Sequence, residues 1–181
     1  MIGLLQLPTT CLAFLVTAVC CWPTIAVAQT AYQGQIEKLP VKVAPQPIPF
    51  SHKIHSRAGV KCLDCHSGAT RKERAGLPTA GQCMLCHATV AKDRAAIQEL
   101  SSLAERGGEL RWVRVYQVPD FVFFSHVNHT GAGERCSTCH GAVQERDVLA
   151  REVSTSMIVC MNCHAQRQVS NECFLCHDLG Q

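Results

Sequence analysis

The first part of the chain is distinguished by an apolar segment without charge. Residues 2–28 contain no charged side chain, are mostly apolar and end in an A-x-A sequence at positions 26–28. This pattern predicts a signal peptide over residues 1–28, with cleavage before Gln29. Because the apolar run is long enough to span a bilayer, an N-terminal membrane anchor is the alternative. In both cases we expect the rest of the chain to lie outside the cytoplasm.

Farther along, the pattern predicts few regular elements. Residues 29–49 carry four prolines and predict an extended tether. Residues 91–106 (AKDRAAIQELSSLAER) are rich in Ala, Leu, Glu and Gln and are followed by two glycines, which predicts a helix with a glycine C-terminus. The β-branched and aromatic residues at 111–116 (RWVRVY) favour an extended conformation. We therefore expect a linker of one helix and one extended segment at residues 89–118.

Cysteine usage changes this picture, because the sequence Cys-x-x-Cys-His occurs five times. This is the signature for covalent attachment of c-type haem, in which two thiols bind one haem and the next residue places an imidazole under the iron. The predicted attachment cysteines are Cys62, Cys65, Cys83, Cys86, Cys136, Cys139, Cys160, Cys163, Cys173 and Cys176, and the predicted proximal ligands are His66, His87, His140, His164 and His177.

Zinc knuckles or disulfides are the alternative use of such cysteine pairs. Five pairs cannot be divided evenly among four-cysteine zinc sites, and neither alternative explains a histidine after every pair. The sequence therefore predicts five covalently bound haem c groups.

The length of the chain limits how these haems are enclosed. Without residues 1–28, about 150 residues remain, or roughly 30 per haem, which is below the size that builds an independent apolar core. The haems must then form the core themselves. The predicted fold class is a mostly irregular, small α protein: a multihaem cytochrome c with short helices, a haem-packed core and two duplicated modules.

The duplication is visible in the sequence itself. FSHKIH at residues 50–55 and FSHVNH at residues 124–129 are offset by 74 positions, and each precedes two haem motifs. A fifth motif follows in the second copy alone. We therefore expect a di-haem module at residues 50–88 and a tri-haem module at residues 119–181.

The repeated units supply the candidate distal ligands. Of nine histidines, five are proximal, and the other four are His52, His55, His126 and His129. Their recurrence before a haem motif predicts axial ligation, and a three-residue spacing puts both imidazoles near one face of a helical turn. Each pair is thus expected to bridge two haems.

One haem is left without a second histidine. The candidates for its sixth ligand are Met157, a lysine, water or none. Met157 lies three residues before Cys160, and a thioether opposite histidine raises the reduction potential relative to bis-histidine ligation. As a core filler Met157 would be equally ordinary.

Net charge narrows the class of partner. The formal charge of +3 belongs to the polypeptide alone. With two propionates on each haem, the holoprotein is expected to carry about −2 when oxidised and about −7 when reduced. We therefore expect no nucleic-acid partner and favour a basic partner surface.

Several strings together resemble a known family. They are QPIPFSHKIH, AGLPTAGQCMLCH, LRWVRVYQVPDFVFFSHVNH, CSTCHG and a methionine three residues before CMNCH, and they cover residues 46–164. These strings resemble class III cytochromes of the c3/c7 type, and further the pentahaem cytochrome subunit of alternative complex III and related respiratory complexes. In such units the first histidine ligates the haem attached next and the second serves another haem. The resemblance also implies Met157 as a ligand.

The resemblance implies a role in electron transfer rather than catalysis. The expected function is electron transfer outside the cytoplasm, as a subunit of a membrane-bound, quinol-linked complex whose other subunits are iron–sulfur or molybdoenzyme-like and quinone-binding proteins. A periplasmic electron shuttle is one alternative. A multihaem reductase of a small oxyanion is another, and it needs an open coordination position. No small-molecule substrate is expected for the first two functions.

Overall fold

The computed structural model describes residues 39–42 and 45–178. The predicted signal peptide or anchor and residues 29–38 of the predicted tether lie outside the described residues. Within the part that is described, no helix is both long and apolar enough to cross a membrane.

The described chain is built from short helices and one pair of two-residue strands. In chain order they are β1 (Val41–Lys42), α1 (His52–Arg57), α2 (Cys62–Cys65), α3 (Ala80–His87), α4 (Ala95–Glu105), α5 (His126–Gly131), α6 (Cys136–His140), β2 (Ala150–Arg151), α7 (Met157–Gln166) and α8 (Cys173–Cys176), with 3-10 turns at Ser67–Thr70 and Val143–Glu145. The predicted mostly irregular, small α fold class is confirmed.

Most of these helices are too short to be stable alone, since isolated helices below about 12 residues are marginal in water. Local capping defines where some of them begin. Ser51 and Ser125 precede α1 and α5, and each hydroxyl accepts a hydrogen bond from the backbone N–H three residues later, at 3.1 and 3.4 Å. The two copies of the repeat therefore start with the same local structure.

Helix α4 lies within the predicted helix 91–106 but begins four residues later. Ala91 has φ = 55° and opens a turn, so the helix starts after Arg94. At the other end Gly107 has φ = 64°, a left-handed conformation that glycine adopts without steric cost. The predicted glycine C-terminus is confirmed.

Residues 111–116 form no strand in the described chain, although their composition favours one. The side-chain amide of Gln46 takes the place of a strand partner, donating to the Val113 carbonyl and accepting from the Val113 N–H, both at 3.0 Å. The indole N–H of Trp112 donates to the Pro78 carbonyl at 2.8 Å. The side chain of Gln46 thus satisfies both backbone groups of Val113, a solution that composition does not reveal.

The C-terminal part of the predicted tether packs onto the rest of the molecule. β1 pairs antiparallel with β2, with Val41 opposite Arg151. Farther on, Ile48 is buried together with Ala80 and Leu100, and Trp112 packs against this cluster. Residues 41–42 and 45–49 are therefore not a free linker.

The apolar core of the described polypeptide is small. Its buried hydrophobic residues are Ile48, Ala69, Ala80 and Leu100, whereas seventeen large hydrophobic side chains are exposed. The polypeptide therefore encloses little apolar volume by itself, as expected for a chain with a haem-packed core.

The two copies of the repeat pack reciprocally. α1 of the first copy packs against Val143–Glu145 of the second, and α5 of the second packs against Ser67–Thr70 of the first. The corresponding backbone bonds, from Lys53 N–H to the Arg146 carbonyl and from Val127 N–H to the Lys72 carbonyl, both measure 3.1 Å and are offset by 74 residues. The copies thus share one compact unit.

We predict that Leu100→Ala destabilises the holoprotein by about 2–5 kcal/mol, because it removes a buried side chain that is only 5% exposed and leaves a cavity. The matched control is Glu99→Ala on the exposed face of the same helix, with an expected change within about 0.5 kcal/mol. Denaturant unfolding followed by circular dichroism measures both. Equal effects of the two substitutions would contradict the assigned core.

Candidate haem sites

All five Cys-x-x-Cys-His motifs lie on or beside helices. The two cysteines of each motif are separated by three positions and fall on α2, α3, α6, α7 and α8, so both thiols point to the same side of one turn. All ten are free thiols. Among the described residues no group of three or more His, Cys, Asp and Glu side chains converges as a metal-ion site.

Burial affects several of these thiols. It raises the pKa of Cys83, Cys139 and Cys160, and the charges of neighbouring thiols raise the pKa further. Burial likewise raises the pKa of Cys62, which lies near the thiol of Cys136. The thiols thus line partly apolar sites and are protonated at neutral pH.

Backbone carbonyls orient most of the candidate imidazoles. A carbonyl oxygen can only accept, so an Nδ1 beside it carries the proton and leaves the Nε2 lone pair free for a metal. Six histidines have such a contact, at 2.8–3.0 Å: His55 to Ser51, His66 to Gly76, His87 to Val90, His126 to Glu73, His129 to Ser125 and His164 to Ser170. These side chains have the tautomer that a haem iron requires.

The first repeated unit uses its aromatic residue to hold both histidines. The Phe50 ring stacks on the His55 ring at 4.5 Å between centroids and meets the His52 ring edge to face at 4.8 Å. Ser51 caps the helix with its hydroxyl and orients His55 with its carbonyl.

The second unit repeats this geometry. Phe124 lies 4.6 Å from His129 and 4.8 Å from His126, again stacked on one ring and edge-on to the other. The Phe-Ser-His-x-x-His sequence is therefore a short unit that orients two imidazoles. Sequence reasoning identified the histidines but assigned no role to the Phe and Ser residues.

The histidines meet in pairs at a characteristic spacing. The ring centroids are 6.0 Å apart for His55 and His87, 6.3 Å for His126 and His140, and 6.1 Å for His129 and His164. Two imidazoles on opposite sides of one iron are expected at roughly 6 Å, since each metal–nitrogen bond is about 2 Å and the ring centroid lies about 1 Å farther on. Three distal–proximal pairs thus have the separation of bis-histidine ligation.

A fourth pair is indicated by electrostatics. Burial, together with the neighbouring charges of His66 and then His55, lowers the pKa of His52 to about 4. Burial also lowers the pKa of His140, with His126 and His66 as charged neighbours. Both side chains are neutral at pH 7, which is the form that binds a metal.

The fifth proximal histidine has a different environment. The Phe121 ring lies 5.8 Å from the His177 ring, and Val122 forms an isolated antiparallel bridge with His177. The other eight histidines lie beside histidine partners. Met157 is the first residue of α7, is 62% exposed and lies one turn before Cys160. Cys160 is close enough to Cys176 for their charges to interact, so α7 turns this face toward the fifth motif.

Tyr116 belongs to the third site, although no sequence signal pointed to it. Its ring meets His140 edge to face at 4.6 Å, and its hydroxyl donates to the His140 carbonyl at 3.3 Å. The same oxygen accepts hydrogen bonds from the backbone N–H groups of Glu152 and Val153. Tyr116 therefore ties the third motif to the segment after β2.

The residues present fit covalently bound haem. Free thiols stand in pairs, three pairs of imidazoles have ring centroids about 6 Å apart, and large apolar side chains in the same segments are exposed. Five of these exposed side chains lie inside the motifs, at Leu63, Leu85, Met161, Phe174 and Leu175. Apolar macrocycles bound at these positions would cover them.

Comparison with known proteins agrees with this geometry. The cytochrome c3 family matches residues 54–110. Over 160 residues, the chain is 32% identical to the multihaem cytochrome c subunit of menaquinone reductase from Nitratidesulfovibrio vulgaris (strain Hildenborough), and the alignment covers 73% of this chain and 76% of that protein.

Identity at this level over three quarters of both chains, together with facing imidazoles beside paired thiols, establishes the class and its chemistry. The chain belongs to the multihaem class III cytochromes of the c3 type, which carry covalently bound haem c and transfer electrons.

Proposed function

We propose that the protein is a pentahaem cytochrome that passes electrons outside the cytoplasm as the non-catalytic subunit of a membrane-bound, quinone-linked respiratory complex. The observation that carries this proposal is the set of three imidazole pairs at 6.0–6.3 Å. When bound, haem supplies one-electron redox chemistry.

The thiols and proximal histidines of the five motifs hold the haems. The distal histidines are assigned by their neighbours: His52 with His66, His55 with His87, His126 with His140, and His129 with His164. At each of these four sites the chain would supply two imidazoles to the iron of a bound haem. No position would then remain for water or a small ligand, and the residues favour electron transfer over chemistry on a substrate.

For the fifth site we propose Met157 as the ligand opposite His177. Its position on α7, one turn from Cys160 and on the face near the fifth motif, supports this assignment. A His/Met site has a higher potential than bis-histidine sites. A multihaem reductase would need this position to be open.

Membership of a complex is supported by the relative, which is a subunit of a menaquinone reductase. We propose quinone-binding and iron–sulfur or molybdoenzyme-like proteins as partners. The apolar segment that ends in A-x-A supports a location outside the cytoplasm.

We predict that the purified holoprotein exceeds the mass of its polypeptide by five haems and that the Cys173→Ala/Cys176→Ala variant exceeds it by four, because each cysteine pair attaches one haem. Intact-protein mass spectrometry measures both. A wild-type count other than five would contradict the pentahaem assignment.

Met157→Leu is expected to lower the highest of the five reduction potentials and to remove the absorption feature of the iron–thioether bond, since leucine keeps the apolar volume but offers no ligand. Potentiometric titration of the visible spectrum provides the test. The control is Val148→Leu, at an exposed apolar position outside the five motifs, which should leave the five potentials unchanged. Unaltered potentials in the Met157 variant would exclude methionine ligation.

Fractionation of native cells, with haem staining and mass spectrometry of co-purifying proteins, tests complex membership. We expect recovery from membranes together with a quinone-binding membrane protein and an iron–sulfur or molybdoenzyme-like subunit. Recovery as a single protein in the periplasmic fraction would contradict the complex and would establish a periplasmic shuttle.

A further inference from the structure

We infer that the five haem sites follow one another in space in the order second, first, third, fourth and fifth, so that the chain forms an unbranched path whose ends are the second and fifth sites. This inference rests on the proposed ligation and goes beyond it, because the order differs from the order of the motifs in the sequence.

The second site adjoins the first. The side-chain amide of Gln82, on α3, donates to the carbonyls of Asp64 and Cys65, on α2, at 2.7 and 3.4 Å. The thiols of the two motifs are close enough for their charges to interact. In addition, α1 carries one imidazole for each site, His52 and His55, one turn apart. These contacts join the second site to the first.

The first site adjoins the third through the reciprocal packing of the repeat. The backbone N–H and Nδ1 of His126, the distal ligand of the third site, both lie against the Glu73 carbonyl, at 2.9 and 2.8 Å. Thr130 on the same helix donates to the Ala69 carbonyl at 2.9 Å. Both carbonyls belong to the loop that follows the first motif.

The opposite half of this packing has the same form. α1, which carries the distal histidine of the first site, lies against Val143–Glu145, directly after the third motif. The backbone N–H of Lys53 on α1 donates to the Arg146 carbonyl at 3.1 Å, which fixes this contact. The first and third sites therefore stand together at the centre of an approximate two-fold arrangement.

Further contacts join the third site to the fourth and the fourth to the fifth. α5 carries imidazoles for the third and fourth sites, and Arg167 at the end of α7 pairs with Glu134 beside α6 at 2.7 Å. The Asn171 amide then joins the loop before α8 to the Met161 carbonyl of α7 at 3.0 Å. The fourth site thus lies between the third and the fifth.

This order places the two structurally distinct sites at opposite ends. The second site is held by α3, beside α4, and the fifth is the site without a second histidine. An electron that enters at one end must pass the central pair before it leaves at the other. The second and fifth sites are accordingly the two ends of the path.

The test is a two-dimensional NOE spectrum of the fully reduced holoprotein, in which low-spin ferrous haems are diamagnetic. Each haem is assigned through the side chains inside its own motif. We expect contacts between haem substituents for the pairs second–first, first–third, third–fourth and fourth–fifth. A second–third contact, or no first–third contact, would overturn the inferred order.

The haem count of the same sample separates this inference from the proposed function. Five haems with a second–third contact would overturn the order alone, whereas fewer than five would overturn both.

As a second measurement, Gln82→Ala should shift the haem resonances of the first and second sites and leave those of the fourth and fifth in place. Gln117→Ala, another surface glutamine, is the control and should shift none; a Gln82→Ala effect confined to the second haem would oppose the second–first link.

Discussion

The space between facing imidazoles is the constraint on which the rest of this structure depends. Three pairs hold their ring centroids at 6.0–6.3 Å, although the two histidines of each pair come from different helices. Rings held at this spacing forgo van der Waals contact with each other unless an atom lies between them. The short helices, the carbonyls that fix each tautomer and the small apolar core are all consistent with a fold that is organised around metal–ligand bonds.

Each repeated unit of six residues orients its two imidazoles in the same way, through five side-chain or backbone groups. The aromatic ring sets the orientation of both imidazoles, the serine hydroxyl starts the helix, and the serine carbonyl selects the tautomer of the second histidine. With the proposed ligation, in which the two imidazoles of a unit belong to different sites, one helical turn sets the distance between neighbouring sites. Ligand placement and the coupling of sites are therefore set by the same residues.

The parts that sequence predicted are those with local chemical signatures. The five motifs, the repeated histidines and helix α4 each follow from spacing or composition within a few residues. The carbonyl acceptors at Gly76, Val90 and Ser170 could not be predicted, because any residue supplies a carbonyl. The contacts of Tyr116 and the Gln46–Val113 hydrogen bonds could not be predicted either. Tyr116 contacts residues at least 24 positions away, and Gln46 and Val113 are 67 positions apart. Non-local packing leaves no pattern in one sequence.

The reciprocal packing of the two copies also bears on how the molecule is assembled. Ser51 and its partner Asp147 are 96 positions apart, so α1 completes its packing only after residue 147 has been made. Long sequence separations slow folding, because loop closure is paid before the contact is gained. The compact form therefore requires both copies of the repeat, since α1 and α5 each pack against the other copy.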